Sequence, residues 1–549
     1  MTTTLTYPGV YLSETASAAH TVVPATTNLT AFLGVFSRGP VNEAVLVSSW
    51  GEFERIYGPI DANSGMASYC IQQFFLNGGV GAWIVRLDIK EGASASAAAK
   101  VSLGAIEVEA RNPGKWSESL AAALKYPGGL EPNKTQLELV VTEPKTETKP
   151  EVTLERIGGI LVPTTGASDA AIAAAAQAAA ATITANSRYL KAKPGSGALA
   201  EHAAASLAGG KDATWTTAEF AKAVKAALTT SASAPPLDLI APQVFNIMCI
   251  PDSVWCGPAV QGEICGEARN YCKARQAFLL VDPAPPKSWL KAPAVFGSST
   301  VALTIGEVGV QTGERKKLVG SEWGSKFIGA ENDAAAVYYP WVEVANPANN
   351  DQPILIPPCG TVAGIFAATD TARGVWKAPA GIEAALSGIS GLADTTINDT
   401  VDGELNVTGI NVLRTFPVYG TLVWGSRTLA GADLFGKATK YVPVRRLADF
   451  VEQSLVQSLR WAVFEPNGPT LWASLTLEAS QFMTGLYHAG AFSGETAKEA
   501  FSVVCDASTT SPEDQLNGIV NINVSFQAVD PAEFVVLNLH LGAGVGATS

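Results

Sequence analysis

Histidine is nearly missing from this chain: His20, His202, His488 and His540 are the only four in 549 residues. None stands in an HExxH spacing, and no serine stands in a GxSxG elbow. A serine triad needs a histidine beside both a nucleophile and an acid, so hydrolysis of that kind is not expected. Charge is also scarce. Lys, Arg, Asp and Glu make up 16% of the chain, against a usual share of about 25%. A chain with so little charge is expected to hide surface against partners, as in a repeating assembly; an Ala- and Gly-rich monomer is the alternative. The formal charge of −13 argues against coating nucleic acid, which needs clustered Lys and Arg. Met1–Thr6 lacks a basic region followed by an apolar run, so no secretory leader is expected. The blandest run, residues 170–183, is too short and too alanine-rich to cross a bilayer.

The seven cysteines (Cys70, Cys249, Cys256, Cys265, Cys272, Cys359 and Cys505) are odd in number and irregular in spacing. Reduced, buried thiols in a cytoplasm are expected. The four between 249 and 272 are too far apart for paired zinc ligands. No metal and no cofactor is expected. Gly431–Ala438 imitates a phosphate loop, with Gly436 and Lys437 in place. Its eighth position is Ala438 rather than the hydroxyl that would hold magnesium, and extended residues follow where a helix should begin. A surface loop is the expectation.

What is present alternates between strand and helix. Residues 1–20 form an extended arm. Leu29–Val35, Val41–Val47 and Trp83–Leu87 read as strands, and Trp50–Tyr57 and Met66–Leu76 as helices. Texture changes near residue 92, and 103–235 reads as an inserted module. It has strands at Ile106–Ala110 and Leu137–Thr142 and an alanine helix at 170–185. The α/β pattern returns with strands Phe245–Ile250, Phe278–Val281, Val337–Val344 and Ile354–Ile356 and a helix over Gly262–Arg275, which predicts a parallel sheet covered on both faces. Helices follow at Arg445–Trp461 and Leu471–Tyr487. Residues 520–528 alternate apolar and polar, predicting a half-buried strand, and Val535–Leu541 is a last strand.

The span Pro358–Gly381 gathers Asp370, Arg373, Lys377, Trp376 and several glycines. Asp370 and Arg373 are spaced to pair at i,i+3. With no base, metal motif or phosphate loop to serve, the charges read as a buried framework. On that reading Arg373→Ala costs roughly 3–5 kcal/mol.

Taken together, these stretches resemble the contractile tail sheath proteins of bacteriophages and contractile injection systems. The resemblance is carried by Tyr7–Tyr11, Arg38–Glu43, Phe74–Gly79, Tyr271–Arg275, Tyr338–Trp341, Ala363–Ile365 and Asp370. It continues through Arg373–Gly381, Leu405–Asn406, Gly409–Asn411, Trp424–Thr428, Val444–Arg446, Trp461–Asn467 and Pro531–Phe534. Residues 103–235 lie outside it.

The resemblance implies a multidomain α/β chain with a subtilisin-like but non-catalytic core. An inserted β-rich outer module, a C-terminal α+β domain facing the tube, and extended strand arms at both ends complete it. The implied layout is 1–20 as N-terminal arm, 21–102 and 236–404 as core, and 103–235 as outer module. Residues 405–530 form the tube-facing domain and 531–549 the C-terminal arm. Leu5, Tyr7, Val10 and Tyr11, with Val535, Leu537 and Leu539, would add strands to neighbouring subunits. Val520, Ile522, Val524 and Phe526 would lie in the receiving sheet. Asp370, Arg373, Trp376, Lys377, Arg427, Arg445 and Arg446 would form the framework.

The implied partners are further copies in a helical stack of hexameric rings, the inner tail tube, and baseplate and tail terminator proteins. No direct nucleic-acid contact and no membrane insertion are implied. The implied place is a virion tail assembled in a bacterial host's cytoplasm, or a cytoplasmic or released injection particle. Either the 445–461 helix or the 471–487 helix would face the tube. A degenerate subtilisin-like hydrolase, or a non-contractile tube or capsid subunit, stands as the alternative.

Overall fold

The computed structural model describes residues 21–61, 64–89, 95–127, 135–145, 150–163, 166–228, 245–283, 327–436 and 438–534. The chain divides into a large unit, 26–446 with 531 onward, and a C-terminal unit of 447–530 joined by the stretch up to residue 25.

The large unit is organised by an eight-stranded sheet. Its strands are β1 (Leu29–Gly34), β2 (Ala44–Val47), β3 (Gly81–Arg86), β4 (Ile247–Cys249), β5 (Phe278–Val281), β6 (Ala335–Tyr339), β7 (Asn411–Phe416) and β8 (Gly420–Trp424). Their order is β2-β3-β1-β4-β5-β6-β7-β8. From β3 to β7 every pairing is parallel, and the outermost pairs β2–β3 and β7–β8 are antiparallel. Strands β3, β5 and β6 are buried at every residue. That is why they read as continuous apolar runs rather than alternating ones.

Helices cover the sheet. Helix α1 spans Met66–Leu76, α2 Gly257–Ala274 and α3 Cys359–Arg373. Helices α1 and α3 touch backbone to backbone. A Cβ at Gly360 would stand 2.1 Å from the Cys70 carbonyl oxygen, and one at Gly364 would stand 2.6 Å from that of Phe74. Gly360 and Gly364, two of the glycines in Pro358–Gly381, are the residues that let a helix lie this close.

Two expectations change here. Val337–Val344 is not one strand. Pro340 supplies no N–H to a ladder, and the chain breaks there. Ala335–Tyr339 stays in the main sheet as β6. Val342–Asn346 enters a separate three-stranded antiparallel sheet with Gln352–Ile356 and Gly391–Leu392. Second, Asn411–Phe416 is a strand that the chain-order reading passed over.

A second apolar core draws on residues from Ala99 to Leu207. It is enclosed by a four-stranded antiparallel sheet (Ala121–Lys125, Gln136–Glu143, Val152–Leu161, His202–Ser206) and a three-stranded one (Lys100–Leu103, Ile106–Ala110, Leu190–Pro194). The alanine helix Asp169–Asn186 turns Ala176, Ala179, Ala180 and Ile183 inward. The helix Thr217–Leu228 belongs elsewhere: Phe220, Val224 and Leu228 join the core of the main sheet.

Helix α4 (Val442–Ser458) carries the chain into the C-terminal unit, and α5 (Pro469–His488) follows a short 3₁₀ turn at Leu459–Ala462. The expected strand over 520–528 is shorter than its alternation. The strand itself is Asn523–Phe526, antiparallel to Phe501–Val504, and an isolated bridge from Ala528 to Phe492 lies beyond it. Val520 and Ile522 pack instead against Leu471, Trp472, Leu475 and Cys505.

Candidate framework and arm-anchoring site

Three of the framework residues, Asp370, Arg446 and Arg427, fall into two buried ion clusters of the large unit, and neither is the pair that sequence spacing suggested. Asp370 lies in the last turn of α3, but its partner is Arg446, 76 residues on. The guanidinium meets the carboxylate side by side, Nη1 to Oδ1 at 2.9 Å and Nη2 to Oδ2 at 2.6 Å. Nη2 also donates to the Thr27 carbonyl at 2.9 Å, and the guanidinium lies over the Phe366 ring. Both side chains are almost wholly enclosed, at 3% and 1% exposure. Burial pushes the Asp370 carboxyl up, and Arg446 pulls it back only in part.

Arg373 does not reach Asp370. It points outward and pairs with Glu383 at 2.6 Å, both about half exposed. Lys377 adds a longer contact to Glu383 at 3.9 Å. The expected cost of Arg373→Ala is therefore corrected: an exposed pair of this kind contributes little. Trp376 lies across Gly374, where φ is 91° and a Cβ would meet the ring at 2.5 Å. Arg445 stands 3.9 Å from Asp333.

The second cluster surrounds Arg427, whose side chain is 1% exposed. Nε and Nη2 donate to the two oxygens of Glu533, both at 2.6 Å. Nη1 donates to the Asn406 carbonyl at 2.8 Å and to Asp433 at 3.0 Å. Lys440 shares that same Asp433 oxygen at 2.7 Å. Burial alone would lower the Arg427 guanidinium, but Glu533 and Asp433 outweigh it and the net shift is upward. Asp433 lies within Gly431–Ala438, so the loop that imitates a phosphate cradle presents a carboxylate to this arginine. Glu533 sits in the Pro531–Phe534 stretch, where the described chain ends. Sequence reading singled out that stretch as a motif but not Glu533 as the partner of Arg427.

In the C-terminal unit the chain entering from the N-terminus is also held. The Val23 and Ala25 N–H groups donate to the Ser458 and Ser454 hydroxyls, both at 2.9 Å. Leu5, Tyr7, Val10, Tyr11, Val535, Leu537 and Leu539 lie outside the described residues. Of the four receiving-sheet residues, Val524 and Phe526 are in the two-stranded sheet.

Sequence reading missed two buried carboxylates at the C-terminal ends of parallel strands. Asp252 accepts from the N–H groups of Val35 and Met66, the latter at the start of α1. Burial pushes it up to about 6. Asp282 follows β5 and accepts from the Cys359 N–H at the start of α3 at 3.0 Å, while its other oxygen has no hydrogen-bond partner among the described residues. Burial pushes it up to about 7. Nothing short-range in the sequence marks either residue; only the strand order brings them to helix starts. Among the described residues, no three His, Cys, Asp or Glu side chains are placed to hold a metal ion, and no helix is long and apolar enough to cross a membrane.

Asp282 sets a pH dependence. Its folded pKa lies above the unfolded value of about 3.9, so folding takes up a proton. The stabilisation is complete below about pH 4 and is lost as pH rises through about 7. Asp282→Asn keeps the acceptor for Cys359 and removes the titration. Its urea midpoint is expected to fall less between about pH 5 and pH 8 than that of the parent chain. An unchanged slope would assign the dependence to other groups.

The comparisons with known proteins follow the same geometry. Over 98% of this chain and 98% of that chain, the structure superposes on the sheath of the extracellular contractile injection system PVC in its contracted state, at 20% identity and a TM-score of 0.54. The sheath tail protein of Desulfitobacterium hafniense matches 94% of this chain and 100% of its own, at 12% identity and a TM-score of 0.55. The fold is that of the sheath proteins of contractile systems. Residues 436–542 match the model of the phage tail sheath C-terminal domain family. The tail sheath protein of Vibrio phage KVP40 is 27% identical over 193 residues, which is 34% of this chain and 27% of the phage protein's length.

Proposed function

We propose that the chain is the structural subunit of a contractile sheath. Subunits polymerise helically around an inner tube in an extended, metastable state. They then repack into a shorter, wider lattice that drives the tube through a target envelope. The observation that carries the reading is the small sheet of the C-terminal unit, Phe501–Val504 with Asn523–Phe526. Two strands alone are marginal in water, and both outer edges offer backbone groups to an added strand. Strands supplied by another copy would complete it, and a contact of that kind is heterologous, so it propagates into helices. The sequences of Leu5–Tyr11 and Val535–Leu539 carry the apolar and β-branched residues that such strands use.

The division of labour follows from this. The parallel layer, in 21–102 and 236–404 and completed by Asn411–Phe416, serves as a rigid body of subtilisin-like outline; no histidine occurs between His20 and His202 or between His202 and His488. The module within 103–235 lies outermost, 405–530 faces the tube, and the two ends, 1–20 and 531–549, link subunits. Asp370–Arg446 and Arg427–Glu533 fix where the linking segments leave the body. The energy is stored at assembly as a few kcal/mol per subunit, the scale of switching equilibria. Hexameric rings, a baseplate trigger, a terminator at the far end and assembly in a bacterial cytoplasm complete the proposal.

Deleting residues 1–12 is expected to leave a folded monomer that forms no ordered cylinders in negative-stain micrographs. Cylinders of normal appearance from the truncated chain would remove the arms from the mechanism.

A further inference from the structure

The inserted module and the parallel layer share a chain but not a core. The module's apolar cluster runs from Ala99 to Leu207, and none of its residues belongs to the cluster around the main sheet. Each buries its own apolar surface, so apolar burial does not decide how one is set on the other. The chain enters and leaves the module at a narrow neck. Ala97 and Lys211 exchange two backbone hydrogen bonds there, both of 2.9 Å, and Asp212 Oδ1 accepts from the Lys115 N–H at 2.8 Å. A few residues of this kind are enough to serve as a hinge.

What sets the module on the layer is polar. Arg86 ends β3 and is 4% exposed. Its Nη1 donates to the Gly39 carbonyl and its Nη2 to the Pro113 carbonyl, both at 2.9 Å, and Nη2 makes a longer contact of 3.5 Å to the Ser37 carbonyl. Ser37 and Gly39 follow β1 in the layer; Pro113 belongs to the module. Burial lowers the guanidinium to about 10, against the pull of Asp88 and Asp212, so it stays charged at neutral pH. A buried cation demands its acceptors in fixed directions, because losing one is costly.

The rest of the seam is small. A Cβ at Gly114, where φ is 135°, would stand 2.6 Å from the Ser37 carbonyl oxygen and 2.7 Å from the Trp116 ring. The Arg38 guanidinium lies over that ring at 6.0 Å. Beside the seam is a cavity of about 110 Å³, lined among others by Phe36, Arg86, Asp88, Asp212 and Trp215. The neck therefore has space to turn into without disturbing packed side chains.

We propose that Arg86 is a clasp. Closed on Pro113, it holds the inserted module and the parallel layer as one body. Open, it lets the module turn about the Ala97–Lys211 neck while both cores stay intact, a local opening well below global unfolding. The clasp is a property of the single chain and stands apart from the sheath reading.

The test uses the full chain with spin labels on Leu76→Cys in the layer and Leu161→Cys in the module, both exposed positions; the native thiols are buried. Pulsed electron paramagnetic resonance gives the distribution of distances between the labels, and amide hydrogen exchange reports the two cores. The parent chain is expected to give one narrow peak. Arg86→Met, which cannot bond Pro113, should broaden that peak or add a second, with exchange in β1 and in Ile106–Ala110 as slow as in the parent. Gly114→Ala leaves Arg86 in place but pushes the Pro113 loop off Ser37, and should do the same. If Arg86→Met speeds exchange throughout β1, the layer itself has unfolded and Gly114→Ala decides. A narrow peak in Gly114→Ala, or in a folded Arg86→Met chain, overturns the proposal. So does a broad peak in the parent, which would mean that the clasp holds nothing.

Discussion

Arg446→Met is expected to destabilise the large unit by roughly 3–5 kcal/mol, because it leaves the Asp370 carboxylate enclosed without its counter-charge. The Thr27 carbonyl loses a donor in the same step. Urea denaturation of the purified chain reads the loss. Three companions sharpen the result. Asp370→Ala should cost a comparable amount, since it strands the guanidinium. The double change Asp370→Leu with Arg446→Met should recover much of the loss, because an apolar pair of similar volume carries no desolvation cost. Arg373→Ala should shift stability by no more than about 0.5 kcal/mol, as its pair with Glu383 lies in solvent. Equal losses for Arg446→Met and Arg373→Ala would mean that the buried fork contributes no more than a surface contact.

The second large effect is expected at Arg427. Removing the guanidinium in Arg427→Ala leaves Glu533 and Asp433 without their common cation and strands the Asn406 carbonyl. The expected loss is again roughly 3–5 kcal/mol. Faster amide hydrogen exchange should appear in residues 405–436. Glu533→Gln retains one acceptor for the fork and should cost about 1–2 kcal/mol, the difference between a charged and a neutral hydrogen bond. The consequence for assembly separates this cluster from Asp370–Arg446. A chain carrying Glu533→Ala should remain folded, yet form cylinders poorly, because residues 531–534 would no longer leave the body at a fixed point. Normal cylinders from a folded Glu533→Ala chain would show that the origin of the C-terminal segment need not be fixed.

How much of this was legible in the sequence varies with the range of the signal. Helices Trp50–Tyr57 and Met66–Leu76 were readable to the residue, because their ends are marked locally. Ser49 caps the first through its side chain, and Asn77-Gly78 ends the second. The Ile106–Ala110 strand was equally plain, with its strict alternation of inward and outward residues. Helix α3 was harder. Gly360 and Gly364 lower helix propensity, and their purpose is visible only once α1 is known to lie against them. The alternation in 520–528 was real, but packing against Trp472 and Leu475 claimed its first half before any strand could pair with it. The framework was half legible. Asp370, Arg427 and Arg446 stood out as residues, but their partners did not, since Asp370–Arg446 and Arg427–Glu533 span 76 and 106 positions. Asp252 and Asp282 gave no local sign at all, because their role depends on two helices beginning where two strands end.

One plain feature of the interior bears on how such an object survives outside a cell. All seven cysteines are buried, and none forms a disulfide. Burial pushes the thiols of Cys70, Cys249, Cys256, Cys265, Cys359 and Cys505 up, away from the reactive thiolate. A polymer built from this subunit therefore presents no ready thiolate to an oxidant and has no crosslink for a reductant to cut. Its stored tension would be the same in a reducing cytosol and in aerated water. A single cysteine introduced on the exposed Val418–Tyr419 turn would be the most reactive thiol on the chain, and a dye placed there could follow shortening in real time.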